Sequence, residues 1–167
     1  MSAADDRLGF EEFVRARRAA LLRTAYLLTG QHADAEDLVQ RALVRAVPHW
    51  RRIRDNPEPY VRTILARESV SRWRRRRWRE VSTGELPVRR HVDVDVAERE
   101  DLRRALAGLS PRQRAVIVLR HLEDRSERET AEMLGIAVGT VKSHARDGLA
   151  ALRRTLADID EVPLPRP

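Results

Sequence analysis

The stretch that decides the fold runs from Ser126 to Arg154 and reads "SERETAEMLGIAVGTVKSHARDGLAALRR". Ser126 and Glu129 have the spacing of a capping box, which starts a short helix, and Gly135 marks a tight turn before a longer second helix. Apolar residues at helical spacing are expected to face inward from both helices: Ala131, Leu134, Val141, Ala145, Leu149 and Leu152. The pattern predicts a helix-turn-helix with helices over residues 127–134 and 138–156.

The start of the second helix is the candidate nucleic-acid reader. Its outward positions carry short polar or cationic side chains: Thr140, Lys142, Ser143, His144 and Arg146. Reading bases in the major groove requires such side chains on the first turns of a second helix, and the helix amino terminus adds positive partial charge toward phosphate. The alternative is an ordinary helical hairpin with a solvated face.

The rest of the chain is predicted to be helical as well. Helical patterns cover residues 10–28 and 34–50, a third helix starts near Pro59, and two more cover about 98–108 and 111–122. The fold class is therefore all-α, with two small helical domains, a three-helix domain and a helix-turn-helix domain, joined by a flexible linker. The predicted boundaries are a flexible amino-terminal tail 1–9, a first domain 10–79, an acidic linker 80–97, a second domain 98–157 and a disordered tail 158–167.

Composition limits the classes of protein. The chain has 167 residues, a formal net charge of +7 and no cysteine, which excludes disulfides and thiolate zinc sites. No run approaches about 18 apolar residues, so we expect no membrane insertion. The start "MSAADDRLGF" lacks the apolar core of a secretory signal. These features favour a cytoplasmic location.

Charge is concentrated in one segment. Residues 51–79 hold eleven arginines against three acids, whereas residues 93–101 hold five acids against one arginine. The run "SRWRRRRWRE", residues 71–80, is expected to grip phosphates without reading bases, with Trp73 anchoring the helix and Trp78 available for a surface contact. The alternative is a solvated helix end. A basic block followed by an acidic one points to a polyanionic partner.

Acidic residues give no sign of catalysis. Asp34, Glu36 and Asp37 fill the predicted first turn of one helix, where the helix dipole favours acids. A metal-dependent nuclease would need oxygen ligands converging from separate elements. The histidines show no paired metal spacing either. We therefore expect no catalytic residue, no metal and no cofactor.

The carboxy-terminal half carries a family resemblance. Residues 109–154, "LSPRQRAVIVLRHLEDRSERETAEMLGIAVGTVKSHARDGLAALRR", resemble region 4 of bacterial sigma factors of the extracytoplasmic-function (ECF) group. The same segment also resembles the DNA-binding domain of LuxR-type regulators, which likewise favours "TVKSH". Region 4 alone therefore leaves both functions open.

The amino-terminal half favours the sigma factor. Residues 29–50, "TGQHADAEDLVQRALVRAVPHW", resemble sigma region 2, and residues 59–77, "PYVRTILARESVSRWRRRR", resemble its promoter-melting helix, most closely in the actinobacterial SigE-like branch. The resemblance covers about residues 10–157. A LuxR-type protein would instead carry a receiver or ligand domain, and residues 1–100 lack the alternating strands and helices of a receiver.

The resemblance implies a non-enzymatic transcription factor. Region 2 would bind the clamp helices of the β′ subunit of core RNA polymerase and open the minus-ten element of promoter DNA. Region 4 would bind the minus-thirty-five element and the flap of the β subunit. No small-molecule substrate is implied, and whether an anti-sigma factor holds the chain inactive stays open. A stand-alone helix-turn-helix regulator is the competing hypothesis, and a basic RNA-binding protein is third.

The resemblance also assigns residues. The expected polymerase contacts are Asp37, Leu38, Gln40 and Arg41. The expected contacts with the minus-ten element and its phosphates are Arg52, Asn56, Arg62, Arg67, Ser71, Arg74, Arg75, Arg76 and Arg77. Three positions depart from the family: Arg41 replaces a frequent acid, Arg67 a common Asn, and Ala137 the usual Ser cap of the recognition helix. Trp50 and Tyr60 are either core residues or base platforms, and the loop from Arg51 to Glu58 is the expected pocket for an unstacked base.

Overall fold

The computed structural model describes residues 3–83 and 97–160, with residues 3, 73–83, 97–99 and 159–160 described as helical backbone only. All regular secondary structure in these ranges is helical, which confirms the all-α prediction. The chain divides between Ser71 and Arg72 into two compact units. The helices are α1 (Ala3–Thr29), α2 (His32–Ala46), α3 (Trp50–Ile53), α4 (Pro57–Thr83), α5 (Ala97–Ala107), α6 (Pro111–Ile117), α7 (Glu127–Leu134) and α8 (Val138–Asp160).

Glycine and proline set the breaks between the first helices. Gly30 has φ 76°, and its N–H donates to the carbonyl of Tyr26 at 2.7 Å, which ends α1. Pro48 lies in a 3₁₀ turn, Val47–His49, between α2 and α3. The helix predicted over residues 34–50 is therefore interrupted at Pro48, and α4 begins at Pro57, two residues before the expected start.

The core of the first unit follows the predicted apolar stripes. Residues from the stripes of α1, α2 and α4 are buried: Leu21, Ala25, Leu28, Leu38, Ala42, Leu43, Ala46, Val61 and Leu65. Val47 continues the apolar spacing of α2 in the sequence, but 52% of the surface of this residue is exposed. Val47 still donates its N–H to the Leu43 carbonyl as in an α-helix, and at about 100° per residue it lies on the opposite side of α2 from the buried Leu38.

The expected flexible amino-terminal tail is wrong for residues 3–9, because α1 begins at Ala3. Long-range contacts hold these first turns. The carboxylate of Asp6 pairs with Arg51 and Arg54, and the ring of Phe10 packs edge-on against Trp50 at 5.2 Å. The sequence offers no local sign of this docking, since the partners of Asp6 lie more than forty residues further along the chain.

Two capping boxes are present in the second unit, including the predicted one at Ser126. Ser126 Oγ accepts from the backbone N–H of Glu129 at 3.1 Å, and the Glu129 carboxylate accepts from the backbone N–H of Ser126 at 2.8 Å. This backbone hydrogen bond lowers the pKa of Glu129 from its ordinary value. Ser110 and Gln113 form the same pair of bonds at 3.2 and 3.1 Å, so α6 and α7 begin where the sequence predicts.

An arginine closes the carboxy-terminal end of α5. The Arg114 guanidinium donates to the carbonyls of Leu106, Ala107 and Leu109, at 2.9, 3.2 and 3.3 Å. These carbonyls belong to a helix end that lacks intrahelical partners. Burial lowers the pKa of Arg114 from its ordinary value. Arg114 therefore fixes α5 to the start of α6.

Helix α8 packs against α5, α6 and α7. Gly148 is buried in α8, and a Cβ at that position would lie 3.0 Å from Ile117 Cγ1 and 3.2 Å from its Cδ1. A side chain at Gly148 would therefore require the Ile117 side chain to move by a few tenths of an ångström. Between α6 and α7, residues Val118–Leu122 form a π-helical turn, so the predicted single helix 111–122 changes pitch at Val118.

Two of the predicted segments lie partly outside the residues that the structure describes. Of the expected linker 80–97, residues 80–83 are the end of α4 and residue 97 begins α5, while residues 84–96 lie outside the described residues. Helix α8 continues to Asp160, so the expected disordered tail is wrong for residues 158–160, and residues 161–167 are not described. In the described part of the chain, no helix is long and apolar enough to cross a membrane.

Candidate nucleic-acid interface

The helix-turn-helix is built around a small apolar cluster. Val116, Ala131 and Val141 are buried together, and Leu134, Ile136 and Ala145 pack against them. Gly135 has φ 66° and its N–H donates to the carbonyl of Ala131, which ends α7 in the left-handed conformation that glycine adopts without strain. The predicted turn and inward stripe are thus confirmed, and together they fix the direction of α8 relative to α7.

The reading face of α8 carries the predicted residues with unequal exposure. Lys142, Ser143 and Arg146 are exposed, whereas Thr140 and His144 are half-buried. The Ser143 hydroxyl donates to the carbonyl of Gly139 at 3.0 Å, one turn earlier. Three polar side chains therefore project from the first three turns of α8, and Thr140 and His144 line the edge of that face.

Both cations of this face have an acidic neighbour. Lys142 Nζ lies 3.8 Å from a carboxylate oxygen of Glu127, and Arg146 Nε lies 3.0 Å from Asp147. All four side chains are well exposed, so each pair contributes about 0–1 kcal/mol and is readily exchanged for a phosphate. The sequence gives no sign of the pair between Lys142 and Glu127, because their proximity arises from the packing of α7 on α8.

The amino terminus of α8 has no side-chain cap from Ala137. The Ala137 carbonyl accepts from the backbone N–H groups of Thr140 and Val141, at 3.0 and 3.1 Å. The usual serine hydroxyl would have satisfied one further N–H group at this helix start. Alanine at this position has no side-chain acceptor for that N–H group.

In the first unit, four of the residues expected to contact DNA are accessible. Arg52, Asn56, Arg67 and Ser71 are exposed, on α3, on the turn after it and on α4. In chain order, these residues extend from α3 through the turn into α4. The side chains of Arg74, Arg75, Arg76 and Arg77 lie outside the described residues, although the backbone of α4 continues helically through them.

Arg62 is a correction to the predicted DNA contacts. Only 8% of its surface is exposed, and its guanidinium donates to Glu58 at 2.7 Å and to the hydroxyl of Thr24 at 2.8 Å. Glu58 also lies 3.1 Å from Arg17. Arg62 therefore joins α4 to α1 inside the fold, because a buried guanidinium needs partners for its charge and its N–H groups.

The predicted polymerase contacts divide in the same way. Gln40 and Arg41 are exposed on α2, and Arg41 Nε lies 3.1 Å from the half-exposed Asp37. Leu38 is fully buried and packs in the core, so its assignment as a direct contact is wrong. Leu38 belongs to the inward stripe of α2, and the family motif "DAEDLVQ" spans both faces of that helix.

An apolar surface that the sequence stripes do not reveal lies beside Gln40. Val44 and Val47 are 64% and 52% exposed, and they border a shallow depression of about 380 Å³. Phe10, Arg18, Glu36, Gln40 and Leu43 complete its lining. Val44 is an apolar residue that lies outside the apolar stripe of α2. This exception to the helical pattern is the sequence feature that could have indicated an exposed apolar surface. Exposed valines beside an amide are suited to a protein interface with an apolar centre and a polar rim.

The aromatic residues near the loop serve the core. Trp50 is 6% exposed and lies between Phe10 and Phe13, with ring centroids 5.2 and 5.7 Å away. Tyr60 is half-buried and packs edge-on against His49 at 5.6 Å. Of the two open interpretations, Trp50 is a core residue rather than a base platform.

The acids of α2 form no cluster with other potential metal ligands. Asp34 is buried at the first turn of α2, whereas Glu36 is exposed. Within residues 3–83 and 97–160, no group of three or more histidine, aspartate or glutamate side chains could hold a metal ion. The nuclease alternative therefore gains nothing from the geometry of the described residues.

Comparison with known families covers both units. The model for sigma-70 region 2 matches residues 13–79, and the model for sigma-70 region 4 matches residues 99–152. RNA polymerase sigma-E factor of Streptomyces coelicolor is 42% identical over 165 residues, covering 95% of this chain and 93% of that protein. The ECF RNA polymerase sigma factor SigL of Mycobacterium tuberculosis is 36% identical over 150 residues, covering 84% of this chain and 85% of that protein.

The chain belongs to the ECF group of the sigma-70 family.

A solved structure agrees with this family. The sigma factor RpoE of Bartonella quintana, in complex with the anti-sigma factor NepR, has a TM-score of 0.69 and 30% identity, covering 89% of this chain and 96% of that chain. This sigma factor therefore directs transcription initiation by binding core RNA polymerase and promoter DNA. The region 2 match decides against the LuxR-type alternative, because a stand-alone regulator would carry a different amino-terminal domain.

Proposed function

We propose that this sigma factor reads the minus-thirty-five element with the exposed face of α8, and holds the melted minus-ten element on the loop between α3 and α4. The observation that carries the proposal is the exposure of Lys142, Ser143 and Arg146 on consecutive turns behind a glycine turn and a capped α7. This geometry suits a recognition helix whose first turns enter the major groove.

The three side chains would have different tasks. Arg146 can bind a guanine edge with two hydrogen bonds, which discriminates between bases, whereas Lys142 acts as a point charge suited to phosphate or to a single acceptor. Ser143 is short and already donates to Gly139, so its oxygen remains able to accept a hydrogen bond from a base. Base specificity should therefore depend most on Arg146.

In region 2, the exposed residues Arg52, Asn56, Arg67 and Ser71 would contact the minus-ten element and its flanking phosphates. The arginines 74–77 would extend this contact along α4. Arg67 replaces an amide common in the family, so we expect it to favour phosphate or guanine contacts rather than adenine.

The polymerase surface would be the exposed side of α2. Gln40 and Arg41 would bond to the β′ clamp helices, and Val44 and Val47 would supply apolar area. Region 4 would contact the β flap. The chain itself would contribute no catalytic group, since RNA synthesis belongs to the core enzyme, and it would act in the cytoplasm. Binding of an anti-sigma factor, as in the Bartonella quintana complex, is a further expectation.

Run-off transcription with purified core and a library of minus-thirty-five sequences tests the proposal. Arg146→Ala should cost about 1–3 kcal/mol at one base position and relax the preference there. Arg153→Ala is the matched control, because Arg153 is exposed two turns later on α8. We expect this control to leave the base preference unchanged.

Two results would contradict the proposal. An unchanged base preference for Arg146→Ala would reduce Arg146 to a phosphate contact. Tight promoter binding by the chain alone, without any association with core polymerase, would instead identify a stand-alone regulator.

A further inference from the structure

One carboxylate connects the start of α1 to the basic segment that precedes α4. Asp6 Oδ2 accepts from Arg51 Nε at 2.7 Å, and Asp6 Oδ1 accepts from Arg54 Nη1 at 3.4 Å. The two arginines lie 45 and 48 residues further along the chain. Asp6 therefore holds two neighbouring arginines with two oxygens of one group.

The three side chains differ strongly in exposure. The side chain of Asp6 is 14% exposed and that of Arg54 is 33% exposed, whereas Arg51 keeps 75% of its side chain exposed. The contact to Arg51 is made through Nε, the inner nitrogen of the guanidinium. Arg51 is thus anchored at its base and presented to solvent, while Arg54 is the more enclosed partner.

The anchor itself is well supported. Trp50, the residue before Arg51, is fixed between Phe10 and Phe13 of α1. The backbone N–H of Arg54 donates to the Trp50 carbonyl at 2.8 Å. The backbone on both sides of Arg51 is therefore held. The direction of its guanidinium then depends on the side-chain torsion angles, which the contact with Asp6 restricts.

We propose that Asp6 is a positioning residue for promoter opening: it orients Arg51 toward the phosphates of the melted strand. The inference rests on the proposed function of the loop between α3 and α4. An arginine has many rotamers, and fixing its guanidinium beforehand reduces the entropy cost of binding a phosphate. Asp5, Glu12 and Asp55 line the same depression as Asp6 and Arg54, so the exposed guanidinium of Arg51 is the part of this group that is accessible to an anion.

Two other roles would give different results. A carboxylate that masks Arg51 would slow opening in the native chain, so its removal would speed opening. If Asp6 had a purely structural role, its replacement would lower the free energy of unfolding of region 2. Promoter opening would then slow only in proportion to that loss of stability. The exposure of Arg51 argues against masking, because a masked guanidinium would be covered by the group that masks it.

The experiment uses holoenzyme reconstituted from core polymerase and the full-length chain. The rate of promoter opening is measured by permanganate reactivity of unpaired thymines, and the thermal unfolding of each variant is measured in parallel. Asp6→Ala and Asp6→Asn should each slow opening by about fivefold, the effect of a change near one kcal/mol. Asp6→Asn keeps the shape of the side chain, so it provides the test if Asp6→Ala folds poorly.

A double-mutant cycle separates positioning from a structural role. Arg51→Ala should slow opening as Asp6→Asn does, with little change in unfolding, and the double variant should be no slower than Arg51→Ala alone. Glu11→Ala is the matched control, since Glu11 pairs only one turn away with the exposed Arg7 at 2.8 Å. This control should open promoters at the rate of the native chain.

Unchanged or faster opening by Asp6→Asn would overturn the inference, as would additive effects in the cycle. Failure of the native holoenzyme to open any promoter would be a failure of the proposed function instead. The two failures are therefore distinguishable in one set of reactions.

Discussion

At the scale of single residues, the arginines of region 2 divide into structural and surface groups that look alike in the sequence. Arg62 is buried beside Thr24 and Glu58, whereas Arg52 is exposed ten positions earlier. Composition alone would assign both to phosphate binding. Burial decides their roles, since a guanidinium removed from water must be compensated by fixed partners.

Replacing Arg62 should therefore destabilise the fold. Arg62→Ala leaves the Thr24 hydroxyl and the Glu58 carboxylate without their shared donor, and we expect a decrease of about 3 kcal/mol in the free energy of unfolding. Urea denaturation followed by tryptophan fluorescence measures this in region 2, because Trp50 is buried in the core of the first unit.

Arg52→Ala is the control for this experiment. Its free energy of unfolding should change by no more than about 0.5 kcal/mol, as expected for an exposed substitution. The rate of promoter opening should decrease instead. Equal destabilisation by both variants would show that burial does not distinguish the two arginines.

At the scale of elements, α8 contains two glycines with opposite surroundings. A Cβ at Gly139 would meet nothing within 4 Å, whereas a Cβ at Gly148 would lie 3.0 Å from Ile117. Helix propensity favours alanine over glycine equally at both positions. The packing of α6 against α8 should therefore determine whether a glycine-to-alanine substitution raises or lowers the free energy of unfolding at each of the two positions.

Gly139→Ala should raise the free energy of unfolding of region 4 by about 0.5–1 kcal/mol, because alanine loses less conformational entropy on folding. Gly148→Ala should lower it by about 1 kcal/mol, because the branched Ile117 side chain has little rotamer freedom with which to move. Circular dichroism during urea denaturation measures both. The fluorescence transition of region 2 should stay unchanged in each variant, and equal signs for the two substitutions would refute the role of packing.

At the scale of the whole molecule, positive charge is concentrated in residues 51–79, and we expect this segment to contact DNA at the minus-ten element. Eleven arginines occur there, but Arg51, Arg54 and Arg62 each have a described acidic partner. The run Arg74–Arg77 is the densest part of this segment. We therefore expect this run to supply sequence-independent affinity, while the loop and α8 supply selectivity.

Replacing Arg74 to Arg77 by alanine tests this expectation in the holoenzyme. Promoter binding should weaken about equally for strong and weak minus-ten sequences. The slope of log affinity against log salt concentration should flatten by about 0.9 for each duplex phosphate that the variant no longer neutralises. Binding titrations at several salt concentrations measure the slope, and an unchanged slope would return the run to a solvated helix end.

The local elements of this protein were determined by the sequence alone. Capping boxes at Ser110 and Ser126, the glycine turn at Gly135 and the apolar stripes act within a few residues, so α6, α7 and the start of α8 lie where the sequence predicts them. The reading face of α8 follows from the same periodicity, because inward and outward positions alternate with the helix turn.

Only the tertiary structure decided which polar residues are enclosed. Arg62 reaches Thr24 across 38 positions, Asp6 reaches Arg51 across 45, and Leu38 lies within the core although the family resemblance assigns it to a binding surface. The sequence does not show whether a charged residue faces solvent or a partner inside the fold. Its role becomes defined when packing removes it from water, because the cost of an unpaired buried charge then selects the contacts that the fold must make.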